Sequence, residues 1–276
     1  MDRLRVATFN LWNRQGPWPR RLPLIRAGLA GLGADVIALQ EVLGFPGQPS
    51  QADEVAPAGW HVHHAPAWAI GGGLTFGNAI LSPHPLIDVA ALPLPTPPGL
   101  DTRSVAFARV DVASGPVPIF ATHLSHQLHL GHVRCAQVRA LADHVHALAP
   151  IDGPPPILLG DFNAEPDSDE MRFLRGLCPL GGASVYFADA WAATADADPT
   201  RGPGFTYHRR NPYALRTREP SRRIDYVYVR GPDRTLRGEP LAAWLALDEP
   251  TDGVWPSDHA AVVADVQLGG RGHDPW

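Results

Sequence analysis

The sequence predicts an α+β protein in which two packed β-sheets carry helices on their outer sides. Strand-like segments are many and short, few segments have apolar residues at helical spacing, and no internal repeat or shift in composition divides the chain. A sheet must bury its apolar face against another layer, so many strands with few helices favour sheet-on-sheet packing. We therefore expect a single domain over residues 1–276, with a core at about residues 4–267.

The first half of the chain predicts one helix among several strands. Residues 4–9 and 36–39 are apolar runs of strand length. Residues 22–32 place leucine and isoleucine at helical spacing before Gly33, a residue type that often ends helices. Residues 60–64, 76–81 and 86–94 predict further strands. Residues 68–73, with three consecutive glycines, predict a flexible stretch, and the proline-rich residues 93–99 predict a loop.

The second half predicts a hairpin, two helices and several late strands. Residues 104–112 and 117–124 flank a Gly-Pro turn. Residues 131–148 predict the clearest helix, with an apolar stripe made of Cys135, Val138, Leu141, Val145 and Leu148. A strand over 157–159 precedes a short helix over 168–174, and residues 224–229, 241–247 and 260–266 predict strands.

Composition excludes several classes of protein. Hydrophobic residues make up 45% and charged residues 18%, which excludes a disordered chain. The net charge of −5 lowers the expectation of generic nucleic-acid binding. The sequence contains arginine but no lysine, which excludes a Schiff-base lysine and a P-loop lysine.

The cysteines and the start of the chain suggest a cytoplasmic protein. Cys135 and Cys178 lack metal-site spacing, so we expect reduced thiols, with one disulfide as the alternative. No signal-peptide apolar region precedes the first strand, and no apolar run reaches membrane-spanning length. We expect a cytoplasmic monomer without stable membrane insertion.

Polar residues lie at the ends of the predicted strands or in the turns there, where each alone is compatible with an ordinary turn. The strongest local pattern is Asp161 and Asn163, two residues apart after Gly160, whose backbone can turn or be approached closely. The others are Asn10, Glu41, His123, Asp225, Asp258 and His259. Carboxylates and amides suit Mg²⁺, which takes oxygen ligands, while histidines can transfer protons and stabilise a charged transition state. Together they predict phosphoryl-transfer chemistry.

The order of these motifs resembles that of the endonuclease/exonuclease/phosphatase superfamily. The motifs are Thr-Phe-Asn at 8–10, Leu-Gln-Glu at 39–41, Gly-Asn-Ala-Ile-Leu-Ser at 77–82, Thr-His-Leu at 122–124, Gly-Asp-Phe-Asn at 160–163, Arg-Ile-Asp-Tyr at 223–226 and Ser-Asp-His at 257–259. Each is short, but together they span nearly the whole chain. The resemblance implies a four-layer αββα sandwich of two mixed sheets flanked by helices, with the site at one edge of the sheets.

The resemblance also implies roles for the metal site and its neighbours. Glu41 would be the principal ligand of Mg²⁺ or Mn²⁺, with Asn10 beside it. Asp161 would position or deprotonate the attacking water. Asn163 and His123 would donate hydrogen bonds to phosphoryl oxygens.

Three further residues complete the implied catalytic set. His259 would act as general acid/base or transition-state donor, held by Asp258. Asp225 would support His123 or a second cation. The resemblance does not identify the residue that serves as general base.

Two arginines are candidate substrate-binding residues. The family often has an arginine after the serine at position 82, where this chain has Pro83. Arg103 is a candidate replacement, with a surface arginine as the alternative. Arg223 belongs to an arginine-rich segment, residues 200–223, that contains Arg201, Arg209, Arg210, Arg216, Arg218, Arg222 and Arg223 with a single acid, Glu219. Arginine among aromatic residues suits a polyanion or single-stranded nucleic acid, and a solvated loop is the alternative.

We therefore predict a Mg²⁺- or Mn²⁺-dependent phosphodiesterase acting on nucleic acid or a phospholipid head group. One alternative is a phosphomonoesterase acting on a small phosphorylated compound. Another is a binding module whose catalytic site has decayed, although the sequence retains every expected site residue. A third is an unrelated zinc hydrolase that uses His126, His129 and His132.

Overall fold

Two six-stranded sheets form the centre of the computed structural model, which describes residues 3–197 and 200–270. In spatial order, the first sheet contains β11 (Pro240–Ala246), β12 (Ala261–Gln267), β1 (Arg3–Asn10), β2 (Val36–Gly44), β4 (Leu74–Ser82) and β3 (His61–Gly71). The second contains β5 (Leu86–Leu94), β6 (Arg103–Val112), β7 (Gly115–His123), β8 (Ile157–Asp161), β10 (Asp225–Val229) and β9 (Ala188–Asp189). Both sheets are mixed, because β1 runs parallel to β2 and β7 runs parallel to β8 while the other neighbours are antiparallel.

Helices cover the outer face of each sheet. The helices of the first sheet are α1 (Trp18–Gly31) and α2 (Gln51–Val55). Those of the second sheet are α3 (Gly131–Leu148) and α4 (Asp169–Leu174). The connection between β9 and β10 contains α5 (Ala190–Ala193), a 3-10 turn (Ala195–Ala197) and α6 (Pro212–Leu215).

Three apolar clusters fill the three spaces between these four layers. Val6 belongs to the cluster between the sheets. Phe9 shares a cluster with Ile25 of α1, and Phe120 shares one with Leu141 of α3. Alternate residues of β1 therefore enter different clusters, as expected for a strand buried on both faces. The α+β fold class and the four-layer αββα sandwich predicted from the sequence are confirmed.

The structure differs from the sequence-based predictions in several local features. Residues 68–71 continue β3 instead of forming a flexible stretch, and Gly71 to Gly73 make the turn into β4 with positive φ angles. Short elements such as α2 and α6 were not predicted, because four or five residues carry too little periodicity. The stripe on α3 is buried at Val138, Leu141 and Val145, while Cys135 and Leu148 are partly exposed.

Both cysteines are free thiols, so the predicted reduced state is the one that the structure shows. Burial raises the pKa of Cys135 to about 11. Within residues 3–197 and 200–270, no helix combines the length and apolar character needed to cross a membrane.

Candidate active site

Polar side chains from both sheets meet at one end of the sandwich. Asn10 ends β1, His123 ends β7 and Asp161 ends β8. Strands β10 and β12 run antiparallel to these neighbours, so it is their first residues that reach the same end. Asp225 begins β10, and His259 lies just before β12. The paired strands thus bring together residues that are far apart in sequence.

These side chains surround a cleft of about 350 Å³. Most of the predicted site residues line it: Glu41, Arg103, His123, Asp161, Asn163, Asp258 and His259. Asn10 and Asp225 are each 1% exposed and lie beneath the cleft, where they hydrogen-bond to residues that line it. Arg223 lies elsewhere, as described below.

Glu41 reaches the cleft through an unusual backbone conformation. Its φ of 58° lies in the left-handed region, within an irregularity of the β2–β4 pairing between Leu39 and Val42. A bulge re-aims a side chain that would otherwise alternate with the pleat. Asn10 Nδ2 and Asn13 Nδ2 donate hydrogen bonds to the two carboxylate oxygens of Glu41, at 3.3 and 3.0 Å. Both the backbone and the amides therefore fix this carboxylate.

Asp161 is held by donors on both of its oxygens. Asn10 Nδ2 donates to Oδ2 at 3.0 Å, and the backbone N–H of Asn163 donates to Oδ1 at 2.9 Å. Gly160 permits the close approach of β7, since a Cβ at this position would lie 2.1 Å from the Thr122 carbonyl oxygen. Asn163 has a φ of 51° and donates its amide to the Leu124 carbonyl at 3.2 Å. The Gly-Asp-Phe-Asn motif thus sets the positions of both its polar side chains.

His259 is paired with Asp225, and the sequence-based expectation that Asp258 holds it was wrong. Nδ1 of His259 lies 2.8 Å from Asp225 Oδ2, and Nε2 lies 3.7 Å from Asp161 Oδ2. Asp258 Oδ1 instead lies 3.2 Å from Ser257 Oγ. The physical reason is that the side chains of consecutive residues leading into a strand point in different directions. The carboxylate nearest to His259 therefore comes from β10 on the other sheet.

The two histidines of the cleft have opposite pKa shifts. Burial lowers the pKa of His259, but the charges of Asp225 and Asp161 and the hydrogen bond to Asp225 outweigh burial and raise it well above its usual value. Burial, and then the positive charges of Arg103 and His259, lower the pKa of His123 well below its usual value. These opposite shifts favour the protonated form of His259 and the neutral form of His123.

Asp225 does not support His123, so of the two roles expected for Asp225 only that toward a second cation stays a prediction. Its Nε2 lies 3.5 Å from Asp161 Oδ2. Its Nδ1 is buried and has no hydrogen-bond partner among the described residues. Its ring contacts Phe76, with centroids 6.2 Å apart. Asp161 is thus shared between the two histidines.

The cleft concentrates buried carboxylates whose charge is only partly compensated. Burial, and next the charge of Asp225, raise the pKa of Asp161 to about 6. Burial also raises the pKa of Asp258 to about 6, against the opposing charge of His259. The pKa of Glu41 is likewise raised by burial. Desolvation disfavours these charges, and a cation would stabilise them.

One group of possible metal ligands exists among the described residues 3–197 and 200–270. Asp161, Asp225 and His259 each offer a ligand atom, and these atoms lie within 4.8 Å of one another. His126, His129 and His132 form no such group and are exposed, so the structure does not support the alternative of a zinc hydrolase built on them.

The two candidate substrate-binding arginines have different environments. Arg103 is 7% exposed and lines the cleft, so its interpretation as a surface arginine does not hold. Arg223 donates to both oxygens of Asp189 at 3.1 and 2.8 Å, and its guanidinium lies over the ring of Tyr226. Arg223 is not among the residues that line the cleft. A buried bidentate ion pair accounts for it, and its assignment to substrate binding is not supported.

Sequence reasoning missed several residues that build the site. Tyr207 packs against His259 with ring centroids 5.0 Å apart. Ser257 Oγ donates to the Asn10 carbonyl at 2.7 Å. Arg21 is fully buried in α1 and donates to carbonyls of the loop that presents Asn13, including Gln15 O at 2.6 Å. Ser257 belongs to a motif that the sequence analysis identified and Tyr207 to the arginine-rich segment 200–223, whereas Arg21 carries no local signal.

Comparison with known proteins identifies the family. The sequence model described as "Endonuclease/Exonuclease/phosphatase family" matches residues 7–259. The chain belongs to this family. The match includes every motif from β1 to the Ser-Asp-His sequence, and membership indicates a hydrolase of the phosphoric-ester type.

Similar proteins cover almost the full length of the chain. The protein YbhP of Escherichia coli strain K12, named as uncharacterized, is 26% identical in an alignment of 288 positions that covers 96% of this chain and 96% of YbhP. Among solved structures, D. rerio TDP2 complexed with single strand DNA product has a TM-score of 0.74 at 19% identity, covering 96% of this chain and 99% of its own. The human Nocturnin catalytic domain with bound sulfate anion has a TM-score of 0.68 at 20% identity, covering 97% and 94%. At 19% and 20% sequence identity, these structural similarities show the fold alone.

Proposed function

We propose that this protein is a Mg²⁺- or Mn²⁺-dependent phosphodiesterase. The observation that carries the proposal is the His259–Asp225 pair beside Asp161, in a cleft that also contains Glu41. A protonated histidine, an oriented carboxylate and hard oxygen ligands are the groups that hydrolysis of a phosphate ester requires.

The residues present fit a divalent cation. Glu41, Asp161, Asp225 and Asp258 are carboxylates in or beneath one cleft, and Oδ1 of Asp225 has no hydrogen-bond partner within residues 3–197 and 200–270. Oxygen-rich, negatively charged sites of this kind suit Mg²⁺ and Mn²⁺. Glu41 would hold the ion, and Asn10, whose Oδ1 accepts from the Trp12 N–H at 2.9 Å, would position the Glu41 carboxylate through Nδ2. When bound, a divalent cation polarises the phosphoryl group and stabilises the negative charge of the transition state.

The chain's own residues supply the proton transfers and the hydrogen bonds. Asp225 accepts from Nδ1 of His259 and thereby turns Nε2 toward Asp161, where the protonated ring donates to a phosphoryl or leaving-group oxygen. Asp161 is fixed by its two donors and orients or deprotonates the water. Asn163 has a second amide hydrogen beyond the one given to Leu124, and this hydrogen serves a phosphoryl oxygen together with His123.

The shape of the cleft favours a diester. Trp68 of β3, Phe76 of β4 and Arg103 of β6 line it, and Trp12 and Tyr207 line it as well. A diester carries a second substituent on the phosphorus, and these aromatic side chains offer it contacts beyond the phosphate. The relative complexed with single strand DNA product supports nucleic acid as the first substrate class to test.

The test is hydrolysis of a small panel by purified protein with Mg²⁺, with Mn²⁺ or with EDTA. The panel contains plasmid DNA, single-stranded RNA, bis(p-nitrophenyl) phosphate, p-nitrophenyl phosphate, sphingomyelin and inositol phosphates, with the Glu41→Ala variant in parallel. We expect cation-dependent hydrolysis of diesters that EDTA and the variant abolish.

Other outcomes identify the alternatives. Preferential hydrolysis of p-nitrophenyl phosphate and inositol phosphates would make the protein a phosphomonoesterase. Absence of hydrolysis across the panel, with ligand binding retained, would support the decayed binding module, in which case the retained site residues would need another explanation.

A further inference from the structure

An aromatic pair stands beside the reacting centre and has no part in the chemistry described above. Trp68 of β3 and Phe76 of β4 lie with ring centroids 6.5 Å apart at an interplanar angle of 73°. Both line the cleft, and Phe76 contacts His123. Trp68 is 38% exposed, which leaves part of its ring open to a ligand.

Arg103 lies on the same side of the cleft with unused hydrogen-bonding capacity. Its Nη2 contacts His126 Nδ1 at 3.2 Å, and its buried Nε has no hydrogen-bond partner in the described part of the chain. Burial lowers the pKa of Arg103, and the negative charges of Glu41 and Asp101 oppose this shift only in part. A guanidinium is a five-donor group with no acceptor, so a buried one with free N–H groups suits an anionic ligand.

We propose that Trp68, Phe76 and Arg103 form a subsite for a nucleoside attached to the scissile phosphate. The base stacks on the exposed part of Trp68, Phe76 supports the indole from the edge, and Arg103 donates to an oxygen of the phosphate. Aromatic rings beside arginine bind single-stranded nucleotides in this way, because every base offers a π-face. The inference rests on the proposed phosphodiesterase activity and names its substrate class.

The exposed aliphatic side chains of β3 and β5 are too few and too separated to favour a lipid surface over a nucleobase. Ile70 is the one large aliphatic residue exposed on β3 beside Trp68. Ile87 and Val89 are exposed on β5, but toward the end of that strand away from Arg103, which pairs with Leu94. A membrane-binding surface needs a contiguous apolar patch, which these separated residues do not provide.

The test compares diesters that release the same p-nitrophenolate and differ in the other substituent. Thymidine 5′-(p-nitrophenyl phosphate) carries a nucleoside, methyl p-nitrophenyl phosphate carries a methyl group, and p-nitrophenylphosphorylcholine carries a lipid head group. We expect the nucleoside substrate to have the highest kcat/KM. Trp68→Ala should lower that value roughly 5- to 150-fold, the range of one base–aromatic stack, and lower the value for the methyl substrate by a clearly smaller factor.

Two further variants separate stacking from structure and from membrane contact. Trp68→Phe should keep most of the nucleoside preference, because a phenyl ring also stacks. Ile70→Ala removes an exposed apolar group from the same strand and should keep all of it. Equal losses on all three substrates in Trp68→Ala, or a preference for phosphorylcholine that Ile70→Ala also reduces, would overturn the proposal.

Binding gives a second readout that does not depend on turnover. Calorimetry in cation-free buffer should show thymidine 5′-phosphate binding more tightly than methyl phosphate to the wild type, and equally weakly to Trp68→Ala. Equal affinity of the two ligands for the wild type would contradict the subsite. Hydrolysis of none of the three diesters, with the binding preference intact, would count against the proposed function and not against the subsite.

Discussion

His259 Nδ1 lies 2.8 Å from Asp225 Oδ2, and this contact joins the two sheets of the sandwich. His259 precedes β12 of the first sheet, whereas Asp225 begins β10 of the second. Each sheet alone holds half of the pair. Packing of the sheets therefore orients the imidazole of His259. Its Nε2 then lies 3.7 Å from Asp161 Oδ2 of β8.

The first prediction concerns this pair. His259→Ala should lower kcat on bis(p-nitrophenyl) phosphate by at least ~10²-fold, the scale of a lost general acid or base. Asp225→Asn should also lower kcat strongly, because the amide removes the charge that keeps the ring protonated. Asp258→Asn should have a smaller effect, since the partner of His259 Nδ1 is Asp225 and not Asp258.

Asp225→Asn and Asp258→Asn are matched variants, so their kcat values can be compared directly. Both substitutions remove one charge from the same cleft while keeping side-chain volume. An equal or larger loss in Asp258→Asn than in Asp225→Asn would return the orienting role to Asp258. A loss of less than about tenfold in His259→Ala would remove His259 from the chemistry.

The second prediction links cation binding to pH. The folded-state pKa of Asp161 and of Asp258, each about 6, exceeds the ordinary carboxyl value, so these groups destabilise the cation-free protein as pH rises from about 4 to about 6. The raised pKa of His259 acts in the same direction, because its stabilisation is lost as pH rises through the folded value. Added Mg²⁺ or Mn²⁺ should therefore raise Tm more at about pH 8 than at about pH 5, where protons compete for the carboxylates.

Differential scanning fluorimetry measures this shift, and Glu41→Ala supplies the control. The variant should lose most of the cation-induced increase at the higher pH. The same increase in the variant, or no dependence of the increase on pH, would show that the cation binds somewhere else.

The third prediction concerns Arg103. Arg103→Ala should lower kcat/KM for the nucleoside diester about 10- to 100-fold, the scale of a hydrogen bond from a charged donor. Arg103→Lys should recover only part of the loss, because an ammonium lacks the planar fork of donors. Steady-state kinetics on both variants test this, and an unchanged kcat/KM in Arg103→Ala would place the phosphate elsewhere in the cleft.

The fourth prediction separates Arg223 from the substrate. Arg223→Met should cost about 3–5 kcal/mol of stability, because it leaves Asp189 buried without its partner. The folded fraction should keep its KM. Urea unfolding and kinetics below the transition measure the two quantities, and a raised KM at unchanged stability would restore the substrate-binding role.

Sequence reasoning predicted the layers and most of the site, and it failed where a side chain's direction decides the contact. Motifs at predicted strand ends identified Asp161 and His259, because parallel and antiparallel pairing must bring those ends together. Glu41 was expected after a strand as well, but it lies within β2 at the bulge. The pairing of His259 with Asp225 instead of its neighbour Asp258 depends on how the two sheets pack.

Burial was the second property that sequence alone could not supply. Arg103 and Arg223 look equivalent in the sequence, yet one lines the cleft and the other is paired with Asp189. Trp68 lay in a stretch predicted to be flexible from its glycines, and the continuation of β3 places it at the cleft. No periodic pattern distinguishes these environments.

The most direct test of the central claim is the Glu41→Gln variant, assayed on bis(p-nitrophenyl) phosphate across a range of Mg²⁺ and Mn²⁺ concentrations. Glutamine keeps the volume of the side chain and removes the charge that Asn10 and Asn13 position. We predict cation-dependent hydrolysis by the wild type, none in EDTA, and none by the variant, whose circular dichroism stays unchanged. Wild-type rates in the variant, or hydrolysis that persists in EDTA, would contradict a cation-dependent phosphodiesterase built on Glu41.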